Sequence, residues 1–374
     1  MKILVAADKF KGSLSSVAAC NCIAAGILEI DAGTDVLQFP MADGGDGFAA
    51  VLQYYLQTQT VTCQTFDPLK RPMDASYQWD SDNKTAIIEL AGTSGLLLLS
   101  EQERNPLQTS TYGTGVLIKH AINNGAEKIL LGLGGSATND AGIGILAALG
   151  FKFTDKAGNI LTPVGESLQY IYAVIFPAIM PGINIEIACD VKNVLFGENG
   201  AAFVYAEQKG ATLKDILVLD KGLQNFATIV NSQTRKDIAD FQGAGAAGGV
   251  AAGLMAYFNV RVTSGAQLII ENSSIKAQLK DCDLIITGEG RLDDQSLYGK
   301  VVVYISKLAN QFQIPVIALC GKVTINQQQI KEMGLLSAVG LADDTISHKI
   351  AMKNAGSLLK KLSAKVFTAF IQFE

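Results

Sequence analysis

The chain has 374 residues, of which 49% are hydrophobic and 17% are charged. This composition excludes a disordered protein, and the length predicts two domains rather than one. The net charge is −5 and no dense Lys/Arg cluster occurs, which argues against nucleic acid as a partner. No apolar segment has the length of a membrane span and no signal peptide is recognisable, so we expect a cytoplasmic protein that does not bind membranes.

The cysteine and histidine content also favours a cytoplasmic location. The six cysteines are scattered and lie mostly in apolar runs, which favours buried free thiols over disulfides. Only two histidines are present, so a metal site built from Cys and His is not expected.

The N-terminal region alternates strands, loops and helices, a rhythm typical of a mostly parallel α/β sheet. The apolar runs predict a strand at 2–7, a helix at 14–28, a strand at 36–39 and a helix beginning at 48. The pattern then changes to polar–apolar alternation, which is typical of antiparallel strands. It predicts strands at 59–66, 73–79 and 85–90, followed by a helix at 114–124 and a strand at 128–133.

The α/β rhythm returns towards the C-terminus. The predicted elements are a strand at 183–188, a helix at 213–230, a Gly-rich turn leading into a packed helix at 243–254, a strand at 282–287, a helix from 301, a strand at 315–319, a short helix at 325–332, a strand at 336–341 and a last helix to about 370. We therefore predict a discontinuous Rossmann- or flavodoxin-like α/β domain, residues 1–62 plus 280–374. A second α/β domain, residues 63–279, is inserted into it.

The loop after the strand at 128–133 is rich in small and polar residues. Small residues let a ligand approach the backbone N–H groups, and the helix N-terminus behind the loop supplies unpaired donors and a partial positive charge. We therefore expect it to bind a phosphate or a carboxylate. The candidate residues are Gly134, Gly135, Ser136, Thr138, Asn139 and Asp140.

Two further loops follow the first two predicted strands, at the sheet edge where ligands bind in open α/β folds. Their candidate residues are Asp8, Lys11 and Ser13 in the first loop, and Asp43, Gly44, Gly45 and Asp46 in the second. Lys and Ser suit a carboxylate or phosphate, and the aspartates suit a base, Mg²⁺ or substrate hydroxyls. Surface turns with solvated charges are the alternative.

Acidic and basic residues also follow two later strands. Asp190 comes after the strand at 183–188, where either a general base or an ordinary turn residue would lie. Past the strand at 282–287, Arg291 and Lys300 are suited to clamp phosphate oxygens, and Glu289 or Asp293 to hold Mg²⁺. A structural ion network is the alternative for this second group.

Taken in order and spacing, eight segments resemble the bacterial glycerate kinase type I family along nearly the whole chain. These segments are residues 10–14, 40–45, 104–106 with 111–115, 134–140, 188–190, 208–211, 243–249 and 287–293. Eight ordered segments are more specific than any one Gly-rich loop. The chain departs from the family at Lys9, where Ser is usual, and at Tyr298, where His is usual, so no acid/base role is expected at 298.

The resemblance implies two α/β domains with an active site in the cleft between them. It implies transfer of the γ-phosphate of ATP to D-glycerate with Mg²⁺, usually giving 2-phosphoglycerate. We expect a monomer or a homodimer. Phosphorylation of the 3-hydroxyl, another small hydroxy acid as substrate and, more remotely, a non-catalytic protein that binds sugar acids or nucleotides stay open. A nicotinamide-dependent enzyme is disfavoured because the first loop lacks the dinucleotide-binding glycine pattern.

We assign roles to the candidate residues on this basis. Lys11, Ser13 and Arg291 are expected to grip the glycerate carboxylate or the transferred phosphoryl group. The residues at 134–136 are expected to contact phosphate. Asp190 and Asp293 are candidates for the catalytic base or for Mg²⁺ ligands, and Glu289 is a third candidate ligand.

Overall fold

The computed structural model describes residues 1–294, 296, 300–342 and 346–372. The strands are β1 (Lys2–Ala7), β2 (Asp35–Gln38), β3 (Gln59–Phe66), β4 (Pro72–Asp80), β5 (Thr85–Glu89), β6 (Lys128–Gly132), β7 (Lys152–Thr154), β8 (Ala173–Ile175), β9 (Asn184–Ala188), β10 (Asn259–Thr263), β11 (Leu284–Gly288), β12 (Arg291–Leu292), β13 (Val316–Cys320), β14 (Lys322–Val323) and β15 (Ser337–Gly340).

Helices connect most of these strands. They are α1 (Ser16–Ile30), α2 (Phe48–Tyr55), α3 (Ala91–Ser94), α4 (Tyr112–Asn123), α5 (Ile143–Ala148), α6 (Ala201–Tyr205), α7 (Leu213–Thr234), α8 (Val250–Tyr257), α9 (Gly265–Glu271), α10 (Ile275–Gln278), α11 (Val301–Asn310), α12 (Gln327–Glu332), α13 (His348–Lys353) and α14 (Ala355–Ile371). Short 3₁₀ turns lie at Leu96–Leu98, Glu101–Glu103, Gly165–Tyr170, Glu207–Lys209, Ala246–Gly248 and Leu279–Asp281.

The chain forms two compact units. The first unit contains Met1–Asp43, Ala50–Tyr55 and Ser264–Glu374, and the second contains Gly44–Ala49 and Leu56–Thr263. The domain limits predicted from the sequence fall after residue 62, which is inside β3, and after residue 279. As domain boundaries they stay a prediction.

The first unit is built on a parallel sheet with the strand order β15-β13-β11-β1-β2. Numbered along the chain within this sheet, the order is 5-4-3-1-2, which is the flavodoxin-like arrangement. The direction of winding reverses between β1 and β11, where Ala7 is paired with Gly288. Ligands of such sheets bind beyond the carboxyl ends of the strands at this switch point.

Helix α1 covers one face of this sheet and shows why the sequence folds locally as predicted. Ser15 caps it by accepting a hydrogen bond from the N–H of Ala18. Its buried face packs against α14, and a Cβ at Gly26 would lie 2.1 Å from the carbonyl oxygen of Lys360. Only glycine therefore permits this close helix pairing.

The second unit contains a mixed sheet with the strand order β10-β9-β6-β5-β4-β3. Strands β10, β9, β6 and β5 are parallel, whereas β4 is antiparallel to both β5 and β3. Strand β3 consequently runs in the same direction as β5 and β6. Phe66, Glu89, Gly132, Ala188 and Thr263 therefore end their strands at one common edge of the sheet.

The α/β fold class with parallel sheets, predicted from the sequence, is confirmed. The predicted antiparallel strands are observed as β3, β4 and β5. The elements that were not predicted include strands β7, β8, β10, β12 and β14 and helices α3, α6, α9 and α10. None of the helices in the described part of the chain has the length and hydropathy needed to cross a bilayer.

Candidate active site

Two buried carboxylates lie at the switch point of the first unit. Asp8 follows β1 and is 5% exposed, and Glu289 follows β11 and is 6% exposed. The backbone N–H of Lys9 donates a 2.6 Å hydrogen bond to Oδ1 of Asp8. Within the described residues, Oε1 of Glu289 accepts no hydrogen bond. A buried acceptor without a donor is costly, so this atom is well placed to bind a ligand.

Burial makes both carboxyls weaker acids than usual, because it raises their pKa values. It raises the pKa of Asp8 to about 7, and the negative charge of Asp43 adds to the effect while Lys9 and Lys300 oppose it. Burial likewise raises the pKa of Glu289 to about 7, against the opposing charge of Lys300. Carboxyls with a pKa near neutrality at a ligand-binding edge are candidates for proton transfer.

Lys9 is a cation of this cluster that sequence reasoning did not select. Its Nζ atom lies 3.0 Å from Oδ1 of Asp43 and 3.9 Å from Oδ1 of Asp8. The sequence feature that could have identified Lys9 is its position next to the candidate Asp8. The ion pairs link the loops that follow β1 and β2, as expected for parallel strands whose carboxyl ends share an edge.

Lys11 and Ser13 lie farther along the loop after β1. Ser13 Oγ donates a 2.9 Å hydrogen bond to the carbonyl of Phe10, and Lys11 is exposed. Both residues line a cavity of about 30 Å³, together with Gly290, Gly321 and His348. His348 was not selected from the sequence, because nothing in the local pattern around it indicates a ligand.

The charged segment after β11 is partly self-paired. Nε of Arg291 lies 3.2 Å from Oδ2 of Asp293, and the arginine side chain is 63% exposed. Lys300 is half-buried at the N-cap position of α11. Of the candidates in the first unit, the structure thus brings Asp8, Asp43, Glu289 and Lys300 into mutual electrostatic range. Tyr298 lies outside the described residues.

In the second unit, two predicted loops touch each other. A Cβ at Gly134 would lie 2.3 Å from Cα of Gly45, and the N–H of Gly134 donates a 3.3 Å hydrogen bond to the carbonyl of Gly44. Oδ1 of the exposed Asp46 lies 3.1 Å from where a Cβ of Gly135 would be. The structure therefore brings residues 44–46 and 134–135 together, and glycine is required at 134 for backbone contact.

The helix N-terminus behind this loop does not offer the free donors expected from the sequence. Asp140 is fully buried and accepts hydrogen bonds from the N–H groups of Gly142 and Gly144, at 3.1 and 3.2 Å. The same carboxylate accepts both the N–H and the hydroxyl of Thr111, each at 2.8 Å. The chain's own carboxylate thus occupies the anion position at the start of α5. Direct contact of Asp140 with substrate stays a prediction.

Lys209 is a residue of this loop region that the sequence did not single out as functional. It is 3% exposed, and its Nζ donates hydrogen bonds to Ser136 Oγ at 2.9 Å and to the Thr138 carbonyl at 2.7 Å. Burial lowers the pKa of Lys209 to about 7, and the negative charge of Asp140 opposes the shift. Lys209 therefore holds the loop in place through these two hydrogen bonds.

Two side chains of the same loop are buried with polar atoms unpaired. Oγ1 of Thr138 and both amide atoms of Asn139 find no hydrogen-bond partner among the described residues, although both side chains are fully buried. Each such group costs free energy unless water or a ligand satisfies it. This observation keeps both residues among the binding candidates.

The predicted metal ligands do not all belong to one unit. Asp190 is half-buried after β9 in the second unit, whereas Glu289 and Asp293 belong to the first. Within residues 1–294, 296, 300–342 and 346–372, no three His, Cys, Asp or Glu side chains are close enough to hold a metal ion. Mg²⁺ sites in kinases commonly use one or two carboxylates plus substrate phosphates, so a Mg²⁺ site in this protein stays a prediction.

Comparison with known proteins assigns the chain to one family. A family model described as the glycerate kinase family matches residues 3–371. The chain belongs to the glycerate kinase family. It is 38% identical over 367 residues to a glycerate kinase of Halalkalibacterium halodurans, covering 97% of both chains. It is 36% identical over 353 residues to a glycerate 2-kinase of Escherichia coli, covering 92% of this chain and 93% of the relative.

A solved structure agrees with the family membership. The crystal structure of a protein described as glycerate kinase 2, from Salmonella typhimurium LT2, has a TM-score of 0.86 to this chain and 34% sequence identity. The similarity covers 100% of this chain and 98% of the Salmonella chain. The resemblance inferred from eight sequence segments is thereby confirmed.

Proposed function

We propose that this protein transfers the γ-phosphate of ATP to the 2-hydroxyl of D-glycerate, giving 2-phospho-D-glycerate and ADP. The observation that carries the proposal is the family match over residues 3–371. The choice of the 2-hydroxyl is supported by the name of the Escherichia coli relative, which is 36% identical.

Asp8 is the candidate that we assign as catalytic base. The acceptor hydroxyl must lose its proton as the phosphoryl group arrives, and a base whose pKa lies near the working pH transfers protons most effectively. Burial provides this property at Asp8, which also lies at the sheet position where flavodoxin-like folds bind ligands. Asp190 and Asp293 remain alternative bases.

Cations of the first unit are assigned to the negative charge of the substrates. Lys300 acts electrostatically on both Asp8 and Glu289, and it is suited to hold the glycerate carboxylate beside the base. Lys11 and Ser13 line the small cavity next to this loop and are the second candidates. Arg291, paired with Asp293, can exchange that partner for a phosphoryl oxygen.

The loop at 134–136 is assigned to phosphate binding in the second unit. Gly135 is exposed, and Ser136 is fixed by Lys209. A rigid loop without bulky side chains lets phosphate oxygens approach the backbone. The residues at 44–46, which contact it, are assigned a supporting role.

Mg²⁺ fits the residues present, with Glu289 as the best candidate ligand because its Oε1 atom is buried and unpaired within the described residues. If bound there, Mg²⁺ would supply positive charge that offsets the negative charge of the phosphate being transferred. Asp293 and Asp190 stay candidates. A cytoplasmic location and a monomeric or homodimeric state also stay predictions.

An ADP-release assay across a panel of small hydroxy acids tests the proposal. Purified protein with ATP and Mg²⁺ should release ADP fastest with D-glycerate, and slowly or not at all with L-glycerate, lactate and glycolate. ADP release that is equal for all acids, or absent for all of them, would contradict it.

A further inference from the structure

The second unit contains a pocket of about 370 Å³ that the assigned site residues do not line. Its lining is mostly apolar and includes Phe66 and Tyr112, together with Phe151 and Phe153, which are 2% and 1% exposed. A size of this order, aromatic walls and a few polar groups are typical of small-molecule sites. A flat, weakly polar ring matches these walls better than a small polar acid such as glycerate.

Two lysines give the pocket a positive rim. Lys70 and Lys152 both line it, and no acidic side chain does so among the described residues. Nζ of Lys70 lies 5.8 Å from the centre of the Tyr112 ring, within the range of a cation–π contact. A ligand that matches this pocket therefore carries both a flat ring and negative charge.

The position of Lys70 is set by its turn. Its backbone φ is 62°, a left-handed conformation that is uncommon outside glycine. Asp67 holds the turn, since its Oδ1 atom accepts 2.9 Å hydrogen bonds from the N–H groups of both Leu69 and Arg71. A residue in this conformation is held in place by the structure around it, so the Lys70 backbone is fixed by the turn.

Two residues that line the pocket, Phe66 and Tyr112, lie close in the fold to the phosphate-binding candidates. Phe66 ends β3 and Gly132 ends β6 at the same edge, three strands apart, which corresponds to about 14 Å at the usual strand spacing. Tyr112 follows Thr111, which bonds to Asp140 at the end of the 134–140 loop. One extended nucleotide is long enough to contact both places.

We propose that the pocket lined by Phe66, Tyr112, Phe151 and Phe153 binds the purine ring of ATP, with Lys70 and Lys152 facing its phosphates. The inference rests on the proposed function, because ATP is the donor in that reaction. It assigns the base-binding subsite to the second unit and explains why positive charge accompanies an otherwise apolar pocket.

Nucleotide binding can be measured without turnover, which separates this inference from the proposed function. Fluorescent mant-ATP should bind the wild-type protein, and adenosine should compete with it. Lys152→Met removes an exposed ammonium and should weaken ATP binding about tenfold, the loss expected for one charge-assisted contact. Lys156→Met, a matched change of an exposed lysine in the following turn that does not line the pocket, should leave binding within twofold.

The ring is tested separately from the phosphates. Tyr112→Leu should weaken ATP binding about tenfold and leave the binding of inorganic tripolyphosphate unchanged, because tripolyphosphate has no ring to stack. Circular dichroism checks that this variant is folded. Photolabelling of the unaltered protein with 2-azido-ATP needs no variant and should modify a peptide that lines the pocket.

Each outcome has one meaning. Labelling confined to peptides outside the pocket, or unchanged ATP affinity in both variants, overturns the inference even if the protein phosphorylates glycerate. Competition by benzoate but not by adenosine would assign the pocket to an aromatic carboxylate and would also overturn it. Nucleotide bound in the pocket without ADP release on any hydroxy acid would uphold this inference and contradict the proposed function.

Discussion

Nζ of Lys209 donates a 2.9 Å hydrogen bond to Oγ of Ser136, across 73 positions of sequence. The lysine is almost fully buried and also donates to the carbonyl of Thr138. A buried ammonium is expensive unless its protons are used, so these contacts matter to the loop that carries Gly134 and Gly135. We infer that Lys209 is a positioning residue for the phosphate-binding loop.

Replacing Lys209 with Met keeps the length of the side chain but removes both donors. We expect kcat/KM for ATP to fall about tenfold, the loss of roughly one to two hydrogen bonds in positioning, while KM for glycerate changes less than twofold. Ser136→Ala removes only one of the two contacts and should have the smaller effect.

The double variant K209M/S136A serves as the control. Because both changes remove the same hydrogen bond, their effects should not add, and the double variant should resemble K209M alone. Strictly additive losses, or equal losses for ATP and glycerate, would show that Lys209 acts only through general stability.

The pH profile should report on Asp8. A base works only when deprotonated, so kcat should rise as pH increases through the region of pH 7 and then level off. The charged groups that act on Asp8 are Asp43, Lys9, Lys300 and Glu289. Asp8→Asn should lower kcat by about 100-fold or more and abolish this rise, as steady-state rates between pH 5.5 and 9 would show. A variant that keeps the wild-type profile would rule Asp8 out as the base.

The raised pKa of Asp8 should also lower the free energy of unfolding at neutral pH. Its pKa is raised in the folded protein from 3.8 to about 7, so the folded state binds more protons than the unfolded state between these values. Stability from this group is complete below pH 4 and is lost as pH rises through 7. In urea unfolding without nucleotide, Asp8→Asn should exceed the wild-type free energy of unfolding at pH 8 and match it at pH 4. The opposite order at pH 8 would contradict the assigned environment.

Asp140 should behave as a structural residue. Asn in its place cannot accept all four hydrogen bonds from Thr111, Gly142 and Gly144, and we expect a loss of about 2–4 kcal/mol in the free energy of unfolding. Thr111→Ser keeps the hydroxyl that bonds to Asp140. It should lower the free energy of unfolding by less than about 1 kcal/mol beyond the effect of a typical surface substitution. Wild-type stability of Asp140→Asn, measured by urea unfolding, would argue for a ligand-binding role instead.

Asp190 and Asp293 are tested by Asn substitutions that preserve their shape. If either carboxylate holds Mg²⁺ or serves as base, kcat should fall steeply, by about 100-fold, with the melting temperature unchanged within a few degrees. The structure adds a distinction, since Asp293 pairs with Arg291 and its loss should also raise KM for a substrate that Arg291 holds. Wild-type turnover by both variants would remove them from the site.

Much of the fold could be predicted because the core strands are apolar runs with clear ends. Residues 2–7 and 284–288 are almost entirely buried, so hydrophobicity and length alone indicate strands. Strand β10 alternates polar and apolar residues but was not predicted, because the alternation covers only five residues and follows directly after helix α8. The short β7 and β8 carry too few residues for a period to be recognised.

The candidate site residues could be predicted only where the indicating residues are close together in the sequence. Asp8 and Glu289 were found because polar residues follow buried strands, but their shared environment depends on strand order, which the sequence pattern does not contain. Lys209 was missed because its partners are more than 70 residues away. The helix N-terminus at α5 was misread because nothing local shows that Asp140 turns back to cap it.

The central claim is that this member of the glycerate kinase family phosphorylates D-glycerate on the 2-hydroxyl. Phosphorus-31 NMR of the product formed from D-glycerate, ATP and Mg²⁺ tests it most directly. The account predicts a new phosphate resonance coupled to the single proton on carbon 2. A resonance coupled to the two protons of carbon 3, or no phosphorylated acid at all, would contradict it.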